Sequence, residues 1–107
     1  MTKYKINVVS SAIVDLQNIV DYISLDNPSI ALNILDKLEK RIDSLKEYPV
    51  RGRIIPELAS HNIIEYRELI ETPWRIIYKV VEHEVFVFAV VDGRRNIQDI
   101  LLRKLLK

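Results

Sequence analysis

The stretch from Tyr66 to Val91 reads as three strands in a row, YRELIE, WRIIYKVV and EVFVFAVV. Only Thr72-Pro73 and Glu82-His83 separate them, which leaves room for nothing but tight hairpins. Strands so close in sequence lie side by side and antiparallel. A chain that carries such a meander is committed to a sheet whose apolar face must be covered by something else.

The cover is upstream. Ala31, Leu35, Leu38, Ile42 and Leu45 make one apolar stripe at helical spacing, with Asp36, Lys37, Glu39, Lys40 and Arg41 around it. Asn27-Pro28 opens this helix with a capping side chain and the residue best tolerated at a first helical position. Tyr48-Pro49 closes it. Ile13, Leu16, Val20 and Ile23 repeat the same period after Ser10 and Ser11, which offer N-cap oxygens, until Asp26-Asn27 interrupts them. A connection of about four residues predicts that the two helices fold back as an antiparallel hairpin.

Lys3 to Val9 alternates Tyr4, Ile6 and Val8 against Lys3, Lys5 and Asn7, the pattern of a half-buried first strand. Arg53 to Leu58 reads as a short strand or a loop broken by Pro56, and Ala59 to Asn62 as polar connection. After Gly93, residues Ile97, Ile100, Leu101 and Leu105 describe a short terminal helix. The expected order is β-α-α-β-β-β-α. This is an α+β fold: an N-terminal strand, a helical hairpin packed on one face of a small, mostly antiparallel sheet, and a short C-terminal helix. The other sheet face is expected to be open. A chain of 107 residues is the size of one domain, 1–107.

Several function classes drop out. No apolar run is long enough to span a membrane, and MTKYKINVV lacks the apolar core of a secretory signal, so a soluble cytoplasmic protein is expected. The absence of cysteine removes disulfides, thiolate metal sites and cysteine nucleophiles. There is no P-loop, GxSxG or GxGxxG. His61 and His83 sit in separate loops without a helical partner, so neither a metal nor a cofactor is expected. The acidic pairs Glu65/Glu68 and Glu82/Glu84 lie beside turns and read as solvated.

What remains is arginine. Alternation within Trp74 to Val81 sends Arg75, Ile77 and Lys79 to one face and Trp74, Ile76, Tyr78 and Val80 to the other. Arg75 must therefore face water, meet an anion, or pair with a carboxylate such as Glu57, Glu68 or Glu71. The charge is also uneven along the chain. Residues 94–107 hold Arg94, Arg95, Arg103, Lys104 and Lys107 against Asp99 alone, a charge of +4 in a chain of net charge +1, so residues 1–93 carry −3. A basic end can approach nucleic acid or an acidic protein surface, but it also suits the negative end of a helix dipole.

The helical hairpin, PVRGRIIPEL (Pro49 to Leu58), the segment YRELIETPWRIIYKVVEHEVFVFAVVDGRRN (Tyr66 to Asn96) and the terminal helix together resemble the RelE/ParE superfamily of bacterial type II toxins. The likeness covers essentially the whole chain and is nearer the ParE branch. It implies a toxin that arrests growth or stabilises plasmids, neutralised by direct binding of a cognate antitoxin with an acidic, amphipathic C-terminal segment. RelE-like members cut mRNA on the ribosome, whereas ParE-like members poison DNA gyrase without nuclease activity.

The resemblance can be read position by position. Arg75 falls at a phosphate-binding arginine of the nuclease branch and Arg95 at a second arginine that stabilises or protonates, so the two form the expected anion-binding pair. With Arg53 they are the candidate catalytic residues of a nuclease. The two basic positions of the preceding strand fall on Tyr66 and Glu68, with Arg67 pointing to the opposite face, and the tyrosine of the terminal helix falls near Leu101. No Tyr or His follows His83. RNA cleavage through the 2′-OH needs a base and an acid, and both are missing from these positions. The expected function is therefore a gyrase poison, with Arg94, Arg95, Arg103 and Lys104 as the target-binding surface. The alternatives are a ribosome-dependent mRNA endonuclease and a non-toxic antitoxin-binding module.

Overall fold

The structure, a computed structural model, describes residues 3–105. Its five strands are β1 (Lys5–Val8), β2 (Arg53–Ile54), β3 (Tyr66–Glu71), β4 (Trp74–Val81) and β5 (Glu84–Asp92). The helices are α1 (Ser10–Ser24), α2 (Pro28–Asp43), α3 (Pro56–Ala59) and α4 (Ile97–Leu105). The sheet runs β1-β5-β4-β3-β2, antiparallel throughout except that β1 lies parallel to β5. The expected α+β architecture is the one observed, and no helix among the described residues is long and apolar enough to cross a membrane.

The meander forms as the sequence pattern requires, with Glu71 opposite Trp74 across the Thr72-Pro73 turn, which is cis, and Val81 opposite Glu84 across Glu82-His83. The hairpin α1–α2 lies on one face. Asn27 caps α2 as expected, its side chain accepting the Ile30 N–H at 3.1 Å. The cap expected from Ser10 or Ser11 is not used. Val9 stands at the N-cap of α1 and Ser11 instead donates its hydroxyl to the Phe88 carbonyl at 3.0 Å, because that carbonyl lies beyond the last residue of β1 and has no strand to pair with. The helix α2 also ends earlier than Tyr48, at Asp43, and two short 3-10 turns carry the chain through Ser44–Lys46 and Pro49–Arg51. Arg51 closes that end by donating to the carbonyls of Ser44 and Glu47, at 3.2 and 2.8 Å.

Two cores sandwich the sheet. The larger joins Ala12, Leu38, Ile42 and Leu45 to Leu69, Ile76, Tyr78, Val85, Val87 and Val90. The other face is not open as expected. The helices α3 and α4 cover part of it over a second core of Ile55, Leu58, Ile77, Ala89, Val91, Ile97 and Leu101. The segment Arg53 to Leu58 supplies part of this cover: Pro56 breaks the strand, but as the first residue of α3 it costs no hydrogen bond.

One extra residue in β5 makes the two cores possible. Ile77 pairs with Ala89 and Tyr78 with Val87, so Phe88 has no partner of its own in β4. In a regular strand Val85, Val87, Ala89 and Val91 would share a face. The bulge sends the first two into the larger core and the last two into the smaller one. The alternation expected within β4 holds, since Trp74, Ile76, Tyr78 and Val80 all meet the larger core.

Candidate functional site

Arg75 projects from β4 onto the same face as Glu68 of β3, whose register sets Glu68 opposite Ile77 and Arg75 opposite Ile70. The two are diagonal neighbours, within reach of long side chains. The Arg75 Nε donates to Glu68, and its two Nη atoms donate to the Glu57 carboxylate on α3, each at 2.8 Å. Arg53, directly opposite Glu68 across β2 and β3, donates its Nε to the second Glu68 oxygen. The result is a neutral group of two arginines and two glutamates. Its centre is dry: the Glu68 side chain is 0% exposed and that of Arg75 8%.

The electrostatics follow from these bonds. The hydrogen bonds from Arg75, set against the cost of burial, hold the Glu57 carboxyl at about 2, well below its ordinary 4.5. In return, hydrogen bonding to Glu57 pushes the Arg75 guanidinium above its already high value. Arg75 thus remains a cation, but each of its three nitrogens already serves a carboxylate. The pairing reading of Arg75 describes this geometry, with its three nitrogens turned to Glu57 and Glu68.

The loop carrying Arg53 is pinned beside this group. The buried Tyr78 hydroxyl donates to the Pro49 carbonyl and accepts the Gly52 N–H at 3.0 Å, while Arg67 donates to the Gly52 carbonyl at 2.8 Å. A Cβ on Gly52 would lie 2.7 Å from the Glu68 carbonyl oxygen and closer still to the Tyr78 hydroxyl. The glycine of PVRGRIIPEL is there for that close approach. Tyr66, at a position where the nuclease branch has a basic residue, packs edge-on against Phe88 at 5.5 Å, with the Lys79 ammonium 5.7 Å from its ring centre. Leu101, near the position of the family tyrosine, is fully buried in the second core.

The basic end is less free than its charge suggests. Arg94 grips Asp92 through its Nε and Nη2 at 3.0 and 2.7 Å, and these bonds hold the Asp92 carboxyl at about 2. Arg103 bonds Asp99 at 3.0 Å, one helical turn away. Lys104 bonds both oxygens of Asp15 on α1, at 2.6 and 2.8 Å, and Asp15 also accepts the Val90 N–H at 3.0 Å. Lys107 lies outside the described residues. Arg95 is exposed and, among the described residues, makes no side-chain hydrogen bond or ion pair.

The structure therefore separates Arg75 and Arg95. Gly93 rests on the aliphatic stem of Arg75, where an added Cβ would stand 3.1 Å from Cδ, and its N–H donates to the Pro73 carbonyl at 2.7 Å. The turn above that stem directs Arg94 and Arg95 into a groove of about 710 Å3 between α1, the ends of β4 and β5, and α4, which Arg75 does not line. Sequence reasoning missed Asp15, although its spacing of four from Ser11 puts both on one side of α1, where they serve the unpaired edge of β5.

A family model described as ParE toxin of type II toxin-antitoxin system, parDE, matches residues 6–97. Among solved structures, the chain is similar to one titled chromosomal ParDE TA system from P. aeruginosa, with TM-score 0.69 and 20% identity over 86% of this chain and 98% of that one. It is also similar to the toxin-antitoxin complex RelBE2 from Mycobacterium tuberculosis, with TM-score 0.60 and 19% identity over 86% of this chain and 93% of that one. At those identities the likeness is one of fold. No curated protein matches by sequence.

Proposed function

This chain belongs to the ParE toxin family of type II toxin-antitoxin systems, within the RelE/ParE superfamily, and on that premise we propose that it arrests growth in the cytoplasm by binding DNA gyrase and does not cut RNA. The observation that carries the reading is the occupied Arg75. A nuclease needs that cation on a phosphate and a proton donor and acceptor beside it. Here Glu57 and Glu68 hold all three of its nitrogens, Glu68 replaces a basic residue, and Leu101 stands in the core near the place of a tyrosine. Bringing a phosphate to Arg75 would require opening two ion pairs and placing an anion beside a buried carboxylate.

A non-enzymatic toxin needs only a binding surface. The exposed Arg94, Arg95 and Arg103, with the half-buried Lys104, supply one at the end of the sheet and along α4. Its neutralising partner is a cognate antitoxin, in keeping with the family. The test is a supercoiling assay with purified toxin and gyrase. The reading expects loss of supercoiling and accumulation of cleaved DNA; intact supercoiling at equimolar and tenfold-excess toxin would remove it.

A further inference from the structure

The sheet ends in two edges of different kinds. At one, β2 is two residues long, carries Arg53 next to Arg51 and is soon followed by Pro56, a short, charged edge of the sort that resists pairing with another chain. At the other, β1 has no proline and a single charge, Lys5. Its bonds to β5 fix which way its backbone groups point. Lys5 and Val9 donate to the His83 and Val87 carbonyls, so residues 5, 7 and 9 turn inward while Ile6 and Val8 turn their N–H and C=O outward. The Tyr4 N–H also points outward, and the Lys46 carbonyl accepts it at 3.0 Å. Among the described residues no strand lies beyond Ile6 and Val8.

Beside that edge an apolar groove of about 690 Å3 runs between α1, α2 and β1, lined by Ile6, Val8, Ile13, Leu16, Val20 and Leu35. Ile13 is 45% exposed, apolar surface left in water. The charges around it are mostly matched already. Lys40 is bound to Asp36 at 2.9 Å and Lys46 to Asp43 at 2.7 Å, which leaves Asp21 and Glu39 of the rim without an ion pair among the described residues. A strand suited to this edge is therefore apolar on the groove face and cationic in charge. Segment 3–9, KYKINVV, is such a strand: Tyr4, Ile6 and Val8 pack against the larger core, and its only charges are Lys3 and Lys5.

We propose that a second copy of this chain pairs with β1 through the same strand, antiparallel about a two-fold axis at Asn7. One register uses every outward group. Ile6 exchanges both its bonds with Val8 of the second copy, Val8 does the same with Ile6, and Asn7 faces Asn7. Tyr4 keeps its bond to Lys46, and Lys5 stands opposite Val9, so no like charges meet across the seam. The neighbouring registers lose these features. Centring on Ile6 sets Val8 against Tyr4, whose N–H is taken, and centring on Val8 sets Ile6 against Ser10, which already belongs to α1. In the chosen register Ile6 and Val8 of both copies form one apolar seam and the two sheets become continuous.

The test needs neither target nor antitoxin, so its failure leaves the function proposed above untouched. Sedimentation equilibrium of the purified toxin should give twice the 12.5 kDa of the chain. Val8→Pro removes an outward N–H from each copy and none that serves β5, a position where an edge strand tolerates proline. It should raise the dissociation constant of the dimer about tenfold or more while the circular dichroism spectrum stays that of the folded chain. Cross-linking reads the register without that variant. The chain holds no cysteine, and Cα atoms facing each other in a pair of the Asn7 type lie about 4.5 Å apart, inside the disulfide range of about 4.4–6.8 Å. Mild oxidation should join Asn7→Cys into a covalent dimer and leave Lys5→Cys as single chains. Wild type that stays monomeric at its highest soluble concentration overturns the proposal. So does a dimer that Val8→Pro leaves intact and Asn7→Cys does not cross-link, which places the interface elsewhere. A toxin monomeric alone, whose Ile6 and Val8 amides gain exchange protection only when antitoxin is added, overturns the second copy as the occupant of this edge.

Discussion

Replacing Arg75 with methionine keeps the aliphatic stem against Gly93 and removes the charge. The Glu68 carboxylate, 0% exposed, then retains only the bond from Arg53, and Glu57 loses its partner. Deleting one member of a buried pair costs about 3–5 kcal/mol, because the remaining charge stays buried without compensation. Glu57 adds little, since its side chain is 32% exposed and water screens it; about 0–1 kcal/mol is the right scale for such a pair. In a domain of this size 1 kcal/mol moves the melting temperature by roughly 4–8 °C, so Arg75→Met should melt at least ~12 °C lower. Thermal unfolding followed by circular dichroism reads this directly. The double variant Arg75→Met/Glu68→Leu should recover most of the loss, because a well-packed apolar pair replaces a dry ion pair at little or no cost. The reasoning is refuted if Arg75→Met melts like wild type while abolishing growth arrest. That outcome would make Arg75 a contact to the target and the ion-pair group incidental.

Gly52→Ala should destabilise by about 1–3 kcal/mol, the cost of overpacking, because its Cβ meets a backbone carbonyl at 2.7 Å with no flexible side chain to give way; a wild-type urea midpoint would contradict this close approach. Glu57 titrates at about 2 in the folded protein against an ordinary 4.5, so its bond to Arg75 stabilises fully above about pH 4.5 and is lost as pH falls toward 2. Wild type should therefore lose stability over that interval faster than Glu57→Gln, and parallel curves would count against the bond. Asp15→Ala strips the Val90 N–H and Lys104 of their acceptor, at a cost of about 1–3 kcal/mol, and hydrogen exchange at Val90 should rise sharply; unchanged protection there would show that α1 does not brace the β5 edge.

The meander was legible because each of its strands alternates or runs apolar to a two-residue turn, which fixes both pairing and direction. The parallel docking of β1 on β5 was not, since nothing in KINV specifies a partner so distant in sequence. The Phe88 bulge was hidden for a related reason: in FVFAVV every residue is apolar, so no polar marker shows where the alternation slips. Pro56 was read as a breaker of a strand and proved to start a helix, a position where its missing N–H costs nothing. That helix is what brings Glu57 over the sheet to Arg75, so the partner was legible by charge and illegible by place. In the basic end, counting residues found the cations but not their carboxylates, because Asp15 approaches Lys104 only through the packing of α1 on the sheet.

On the proposed reading, the arginine at the nuclease position holds the fold together and the toxin acts without cutting RNA. Primer extension on translated mRNA, taken during growth arrest after induction of the toxin alone, tests it most directly. The account predicts full-length transcripts with no new ends in the ribosomal A site while growth stops. Codon-spaced cuts that appear with the arrest and vanish in Arg75→Met at a temperature where that variant is folded would contradict it.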